Sequence, residues 1–498
     1  MMPTYQKFTS TLAILSVTCA TYADDTADLS GNWRELRLET PAALIETYYN
    51  ISTGETRRSS DSQDYAQSGE LLVDTYYSSD FATEASSLSI DATGNISGGA
   101  AAQILDYNRG RLLAKDDGES LSDASPAYVN LAKDIITNST ADSNSQELSI
   151  VLRQPASLSL SELDGKWGLG NAYIGSAMQE TYYNQSTDNQ RHSDISDYAR
   201  EGERLVDLHR IEDFESNWGT LTINDGSFSG LFSGSISVNG VRPVIAPGDD
   251  TSPMTMNINA AKDVIVHVKT EAGEYVELII ISKLPSSLNL AELSGNWRYT
   301  SLFIPIEMTE KYYNSQTGDI RPGDINDHAG STGLSEELVD IYYTDEFSTK
   351  QGNIHIDSSG NASGAINGSF SIANTENSLL FNDSGDLAPL YINASKNFAY
   401  NFSQDTNGVN ISLLTKISSD TPETFEESVD LRLVQVDGEA VFTLNGSNDL
   451  KIVSSQTLDT AASTWAELSD SEGSSIITRS DAAASSEFYS VTPRTEAE

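Results

Sequence analysis

The chain has 498 residues and carries 73 Asp and Glu against 29 Lys and Arg, a formal net charge of −44 at pH 7. Such a charge excludes nucleic acid as a natural partner, because phosphates would be repelled, and it argues against anionic membrane surfaces. It suits an exported protein with a solvated acidic surface and favours the binding of cations.

In chain order, residues 1–23 read as an export signal. Lys7 supplies the charged start, TLAILSVTCA the apolar core, and ATYA ends in small residues before Asp24. The apolar core is too short to span a bilayer, and no later run reaches the length of a membrane helix. The only cysteine, Cys19, lies inside this signal, and Thr18 stands where a lipoprotein signal needs Gly, Ala or Ser. The mature chain therefore has no thiol for a disulfide, a nucleophile or a metal. An extracellular, cell-surface or periplasmic location is expected.

Three copies of one unit follow. ETYYNISTGETRR at 46, ETYYNQSTDNQRH at 180 and EKYYNSQTGDIRP at 310 align without gaps. Upstream of them stand LSGNW, LDGKW and LSGNW, which place Trp33, Trp167 and Trp297 in one setting, 134 and then 130 residues apart. Downstream each copy repeats Leu-Val-Asp (72–74, 205–207, 338–340), an acidic-Phe pair, a turn-rich hairpin, and late segments YVNLAKD, MNINAAKD and YINASKN. A period this long belongs to whole domains rather than to solenoid units. The copies are assigned to 24–156, 157–286 and 287–418, and the short Pro/Ser joints RQPASLSLSEL and SKLPSSLNLAEL suggest neighbours that touch.

Within each copy the pattern is β. SLSIDATGNISG alternates around an Asp-x-x-Gly-Asn turn, and DVIVHVKTEAGEYVELIIISK reads as a second hairpin. Seven or eight strands per copy fit an antiparallel β-barrel or a β-sandwich, and alternation alone does not separate the two. AALIETYYN fits a strand or two helical turns. Residues 419–460 add further strands, and the Ser-rich, acidic segment 461–498 is expected to be disordered.

The tyrosine pairs and the Asn-x-x-Thr-Gly turn of copy 1 read like the second hairpin of a WW domain. No copy supplies that domain's second Trp, however, and each copy is over three times too long, so that reading fails. The Leu-x-Gly-x-Trp opening of each copy, at Gly31 and Trp33, Gly165 and Trp167, and Gly295 and Trp297, resembles lipocalin and avidin-like barrels. That resemblance implies an eight-stranded barrel with the Trp at its closed end and a lumen for a small apolar ligand.

Two groups of candidate site residues recur. The pairs Tyr48 and Tyr49, Tyr182 and Tyr183, and Tyr312 and Tyr313 could form a stacking surface, although adjacent strand residues face opposite sides, so at most one per pair can serve it. Asp61, Asp64, Glu70 and Asp74 match Asp194, Asp197, Glu203 and Asp207 in spacing, and copy 3 has Asp324, Asp327 and Asp340 with Glu336 or Glu337 displaced. Calcium, which takes several oxygen ligands, is the ion such loops would hold, and no other cofactor is expected. The histidines at 192, 209, 267, 328 and 355 show no repeated spacing, and no nucleophile elbow, zinc helix or phosphate loop occurs.

These features point to an exported, non-enzymatic repeat protein acting as an extracellular or periplasmic binding or structural element, adhesive, matrix-like or filamentous. Its partners would be a protein, a glycan or a small apolar ligand, or further copies of itself. A lipocalin-like carrier is the alternative, and a carboxylate-dependent hydrolase is the third reading.

Overall fold

A computed structural model describes residues 26–418 except 62, 100–101, 109, 117–124, 185, 195–197, 202, 212–213, 249–251, 325–335, 374–377 and 384–385, and beyond 429 the six strands named below. The expected export signal lies outside these residues. The described chain is almost wholly antiparallel β, with no helix long and apolar enough to cross a membrane.

Two compact units are distinguished: Trp33–Ser86 with Asn130–Ile417, and a smaller one containing Ser87–Val129 and the strands after residue 418. In the larger unit, copy 3 forms a closed eight-stranded barrel, in which the opening strand Gly295–Pro305 pairs with Ser348–Ile356 and the remaining strands follow in order to Gly408–Ser418. Copy 2 repeats that order as an open sheet, with Gly165–Gly175 flanked by Phe214–Asn224 and Tyr275–Lys283. The crossing before Val264–Glu271 is broken at Met256 into Met254–Thr255 and Asn257–Ile258, which form the two open edges. In copy 1 the opening strand Gly31–Pro41 pairs with Ser145–Arg153, which pairs in turn with Ile135–Ala141.

The repeated Leu-x-Gly-x-Trp has a local cause. Gly165 and Gly295 sit at φ 136° and 137°, where a side chain would be strained. That turn lets the buried indole Nε1 of Trp167 and Trp297 donate back to the carbonyls of Leu163 and Leu293 at 2.7 Å. The expected barrel is present, and large apolar side chains point into it in copies 2 and 3. Copy 2 is filled by Trp167, Leu221, Phe228, Ile236, Ile265 and Ile281, and copy 3 by Trp297, Ile354, Phe370, Leu390 and Leu414.

Each copy carries three strands more than the seven or eight expected. They form a separate three-stranded sheet inserted after the opening strand. In copy 1 it comprises Leu44–Asn50, Thr56–Ser59 and Glu70–Tyr77; in copy 2, Met178–Asn184, Asn189–Asp194 and Glu203–Arg210; in copy 3, Met308–Asn314, Ile320–Asp324 and Glu336–Tyr343. The first strand of each insert lies in the middle of its sheet, so AALIETYYN is strand and not helix.

One core belongs to all three copies. Leu36, Tyr48 and Leu148 of copy 1, Ile174, Val266 and Leu278 of copy 2, and Leu302, Tyr391 and Phe402 of copy 3 fall in a single buried cluster. Glycine makes one contact between copies close: a Cβ on Gly168 would stand 2.3 Å from the ring of Tyr391, and the Tyr400 hydroxyl donates to the Gly168 carbonyl at 2.8 Å. Asn259 Nδ2 of copy 2 donates to buried Asp134 of copy 1, and Asn393 Nδ2 of copy 3 donates to buried Asp263 of copy 2, at 2.8 and 3.1 Å. These bonds explain the late Asn-x-x-Lys-Asp/Asn motif, which joins copies to one another.

In the smaller unit, Asn95–Ser97, Ala102–Asn108, Arg111–Asp116 and Ser125–Val129 form an antiparallel meander over buried Ile90, Ile104, Tyr107 and Leu113. The extension contains strands Asp430–Val436, Glu439–Asn445 and Leu450–Ser455. In 461–498, where no regular structure is expected, short strands occur at Ala466–Glu467, Ile476–Arg479 and Phe488–Pro493, paired to the extension strands. The last two are the tail's own β-branched and aromatic runs.

Candidate binding site on the ring of inserts

Each insert begins with Glu-x-Tyr-Tyr-Asn in its middle strand. Alternation puts Glu and the first Tyr on one face, two residues apart. Tyr48, Tyr182 and Tyr312 are fully buried, at 0% exposure, and lie in the shared core. Their hydroxyls donate to the carboxylates of Glu46, at 2.7 Å, Glu180, at 2.6 Å, and Glu310. The neighbouring strand lays a guanidinium on each ring: Arg57, Arg191 and Arg321 all stand 4.4 Å from the ring centroids. Each Arg then reaches an acid on the third strand, Glu70 at 2.8 Å, Glu203 at 2.8 Å and Glu336 at 2.9 Å, and holds that carboxyl below the usual range.

The buried glutamates bind the copies in a circle. Glu46 of copy 1 accepts from the Ile341 N–H of copy 3 at 2.7 Å. Glu180 of copy 2 accepts from both the N–H and the hydroxyl of Thr75 of copy 1 at 2.8 Å, and Glu310 of copy 3 accepts from the Leu208 N–H of copy 2 at 3.1 Å. A head-to-tail contact made three times and returning to its start is a closed ring. A bulge opposite Thr47/Tyr48 and its counterparts frees further groups: the Val73 carbonyl accepts from Ala199 of copy 2, and the Val339 carbonyl from Ala66 of copy 1.

Burial dominates the protonation of this ring. It pushes the Glu180 carboxyl up to about 8 against the pull of Tyr182 and Thr75, and it raises Glu46 well above the ordinary carboxylate range with help from neighbouring Asp340. Asp340 itself rises to about 6 by burial, restrained by the Lys311 ammonium.

Beyond the ring, the strands end in three equivalent tips. Asn50, Asn184 and Asn314 each accept, through Oδ1, two backbone N–H groups of the turn. The second Tyr of each pair stands beside its tip. Tyr49 is 38% exposed, Tyr183 and Tyr313 are half-buried, and the Tyr183 hydroxyl donates to Asp188 at 2.6 Å.

The acidic quartets separate in space. In copy 1, Asp64 and Glu70 share Arg57, Asp61 is exposed and accepts from the Gln63 N–H, and Asp74 is buried opposite Thr47. Glu203 is held by Arg191, Asp207 is buried opposite Thr181, Asp194 is exposed, and Asp340 pairs with Lys311. Asp197, Asp327 and the side chain of Asp324 lie outside the described residues. Among the described residues no group of three or more His, Cys, Asp or Glu side chains is arranged to hold a metal. Arg57 stands between Asp64 and Glu70, Arg191 beside Glu203 and Lys311 beside Asp340.

Sequence reasoning passed over Glu46, Glu180 and Glu310. Their signal is an acid repeated in every copy on the inward face of a strand, two residues from a tyrosine.

No protein-family model and no curated protein matches the chain. Ten solved chains match, among them two at 10% identity. One is intact Ap-TbpB with its N and C lobes, over 78% of this chain and 77% of that one at a TM-score of 0.16. The other is a tryptophan-to-alanine mutant of the vaccine antigen Transferrin Binding Protein B from Haemophilus parasuis, over 78% and 76% at 0.18. Scores this small carry no argument about fold or partner.

Proposed function

We propose that this is an exported, non-enzymatic binding protein that grips a repetitive, uncharged glycan through its three insert tips. The observation that carries the reading is the closed ring: one bond type, made three times, holds three alike hairpins in fixed relation. Linked sites of modest affinity multiply into avidity without any new contact. The chemistry of the tips suggests the partner. In a chain of net charge −44, the segments 49–54, 183–188 and 313–318 hold one ionisable acid, Asp188, and otherwise Tyr, Asn, Ser, Thr, Gln, Gly and Ile. Tyrosine offers a flat apolar face with a polar edge, and amides and hydroxyls match sugar hydroxyls.

The carrier reading has less support, since the described barrel interiors of copies 2 and 3 are packed with side chains. A hydrolase has less support, because Glu46 and Glu180, two of the carboxyls with raised proton affinity, lie inside the ring away from water. Titration of the purified protein with neutral polysaccharides on a glycan array tests the proposal. Replacing Tyr49, Tyr183 and Tyr313 singly by Ser should weaken binding about tenfold or more each, and the triple variant should bind nothing. A triple variant that binds like the parent rules the tips out.

A further inference from the structure

The three inserts differ at one place, and the difference points to a metal. On one face of each insert, four equivalent positions cluster: Thr47, Arg58, Asp74 and Tyr76 in copy 1; Thr181, His192, Asp207 and His209 in copy 2; Lys311, Pro322, Asp340 and Tyr342 in copy 3. Register confirms the grouping in copy 2, where Thr181 lies directly between His192 and Asp207, and Gln179 lies between Asp194 and His209. Every copy buries its aspartate here. Copies 1 and 3 set a permanent cation over a tyrosine at this spot, Arg58 5.5 Å from the Tyr76 ring and Lys311 4.6 Å from the Tyr342 ring. Copy 2 has two imidazoles instead, with ring centroids 6.4 Å apart and planes at 82°.

We propose that His192 and His209 chelate one divalent first-row transition metal ion, such as Zn2+ or Cu2+, which stands where copies 1 and 3 keep an ammonium or guanidinium. Both rings turn Nδ1 towards a partner of the insert. Nδ1 of His192 is hydrogen-bonded to the Thr181 hydroxyl across 3.0 Å, and Nδ1 of His209 stands 3.6 Å from Oδ2 of Asp207. Each Nε2 is thereby left on the far side of its ring, available to a ligand, and partners behind the metal-binding nitrogens are what orient imidazoles in metal sites. His192 is exposed and His209 half-buried, so an ion can enter from solvent. Neutral imidazole pairs select zinc, copper or nickel over calcium, which takes oxygen ligands. Among the described residues the two rings are the ligands the site offers, and water would complete the shell. Buried Asp207 and exposed Asp194 on the same face add negative charge that favours the cation.

Calorimetric titration of the purified full chain with Zn2+ and with Cu2+ at pH 7.5, in excess Ca2+, tests this. The expected result is one site that calcium does not displace. His192→Asn and His209→Asn should each weaken it about tenfold or more, and the double variant should abolish it. His355→Asn, in the copy 3 barrel, should leave it unchanged, and matching melting curves without metal would show that the variants fold. Binding that survives in the double variant, or no binding by the parent beyond the double variant's level, overturns the proposal.

Discussion

The barrel interiors and the ring of inserts obey different rules of ownership. The interior of copy 2 is built from its own residues between Leu163 and Ile281, and that of copy 3 from Leu293 to Leu414, each around its own tryptophan. The other large core belongs to no copy, because Tyr48, Tyr182 and Tyr312 meet in it along with the outer faces of barrel strands. A barrel with water outside shows alternation along every strand. Here Val264, Ile265 and Val266 are all buried, as are Ile280 and Ile281 with Leu278, because one face fills the barrel and the other joins the common core. A repeat in sequence thus does not guarantee a repeat of independent folding.

The sharpest way to break that comparison is to remove the neighbours. Residues 157–286 expressed alone would expose Ile174, Tyr182, Val266, Leu278 and Ile280 and would leave Glu180 without Thr75. The expected outcome is a fragment that aggregates or lacks a cooperative thermal transition. A monomeric fragment with a sharp melt and a dispersed amide spectrum would show that the private core suffices.

A smaller effect sharpens the same point from inside a barrel. Trp167→Ala removes the largest side chain of the copy 2 interior together with its bond to Leu163, and should cost about 3–5 kcal/mol in urea unfolding. Because the copies share a core, the loss should appear as one transition at lower denaturant. Two separated transitions would mean that copy 2 unfolds while copies 1 and 3 stand.

Much of this architecture was legible because it is written in local chemistry. Alternation and turn residues marked the strands, and the Leu-x-Gly-x-Trp opening follows from one glycine torsion and one indole bond. The runs DVIVHV and ELIII, apolar at nearly every residue, carried the sign of burial on both faces but resemble an ordinary hairpin when read alone. The inserts were missed as a separate sheet because sequence alternation does not name a strand's partners. The acidic quartets hide their partners for a related reason. Asp64 and Glu70 look like ligands until Arg57, a strand away, is seen between them. Glu46, Glu180 and Glu310 find their partners in other copies, a relation that no window of sequence contains.

The ring also differs from its rim in response to pH, and this gives the subtlest test. Glu70, Glu203 and Glu336 are held low by their arginines, so their contribution is present above the ordinary carboxylate value of 4.5 and is lost as pH falls. Glu180 behaves in the opposite sense. Folded, it holds its proton up to about pH 8, whereas the unfolded chain releases that proton near 4.5. Between those values the native state binds more protons than the unfolded one, so stability falls as pH rises from 4.5 towards 8. Glu180→Gln keeps the size and an acceptor for Thr75 but carries no titrating proton. Its unfolding free energy, measured from pH 5 to pH 8, should decline less steeply than the parent's, by at most about 1.4 kcal/mol per pH unit, with Glu46 and Asp340 contributing to the slope that remains. An unchanged slope would mean that the hydroxyls of Tyr182 and Thr75 and the Thr75 N–H outweigh burial and keep Glu180 ionised in the fold.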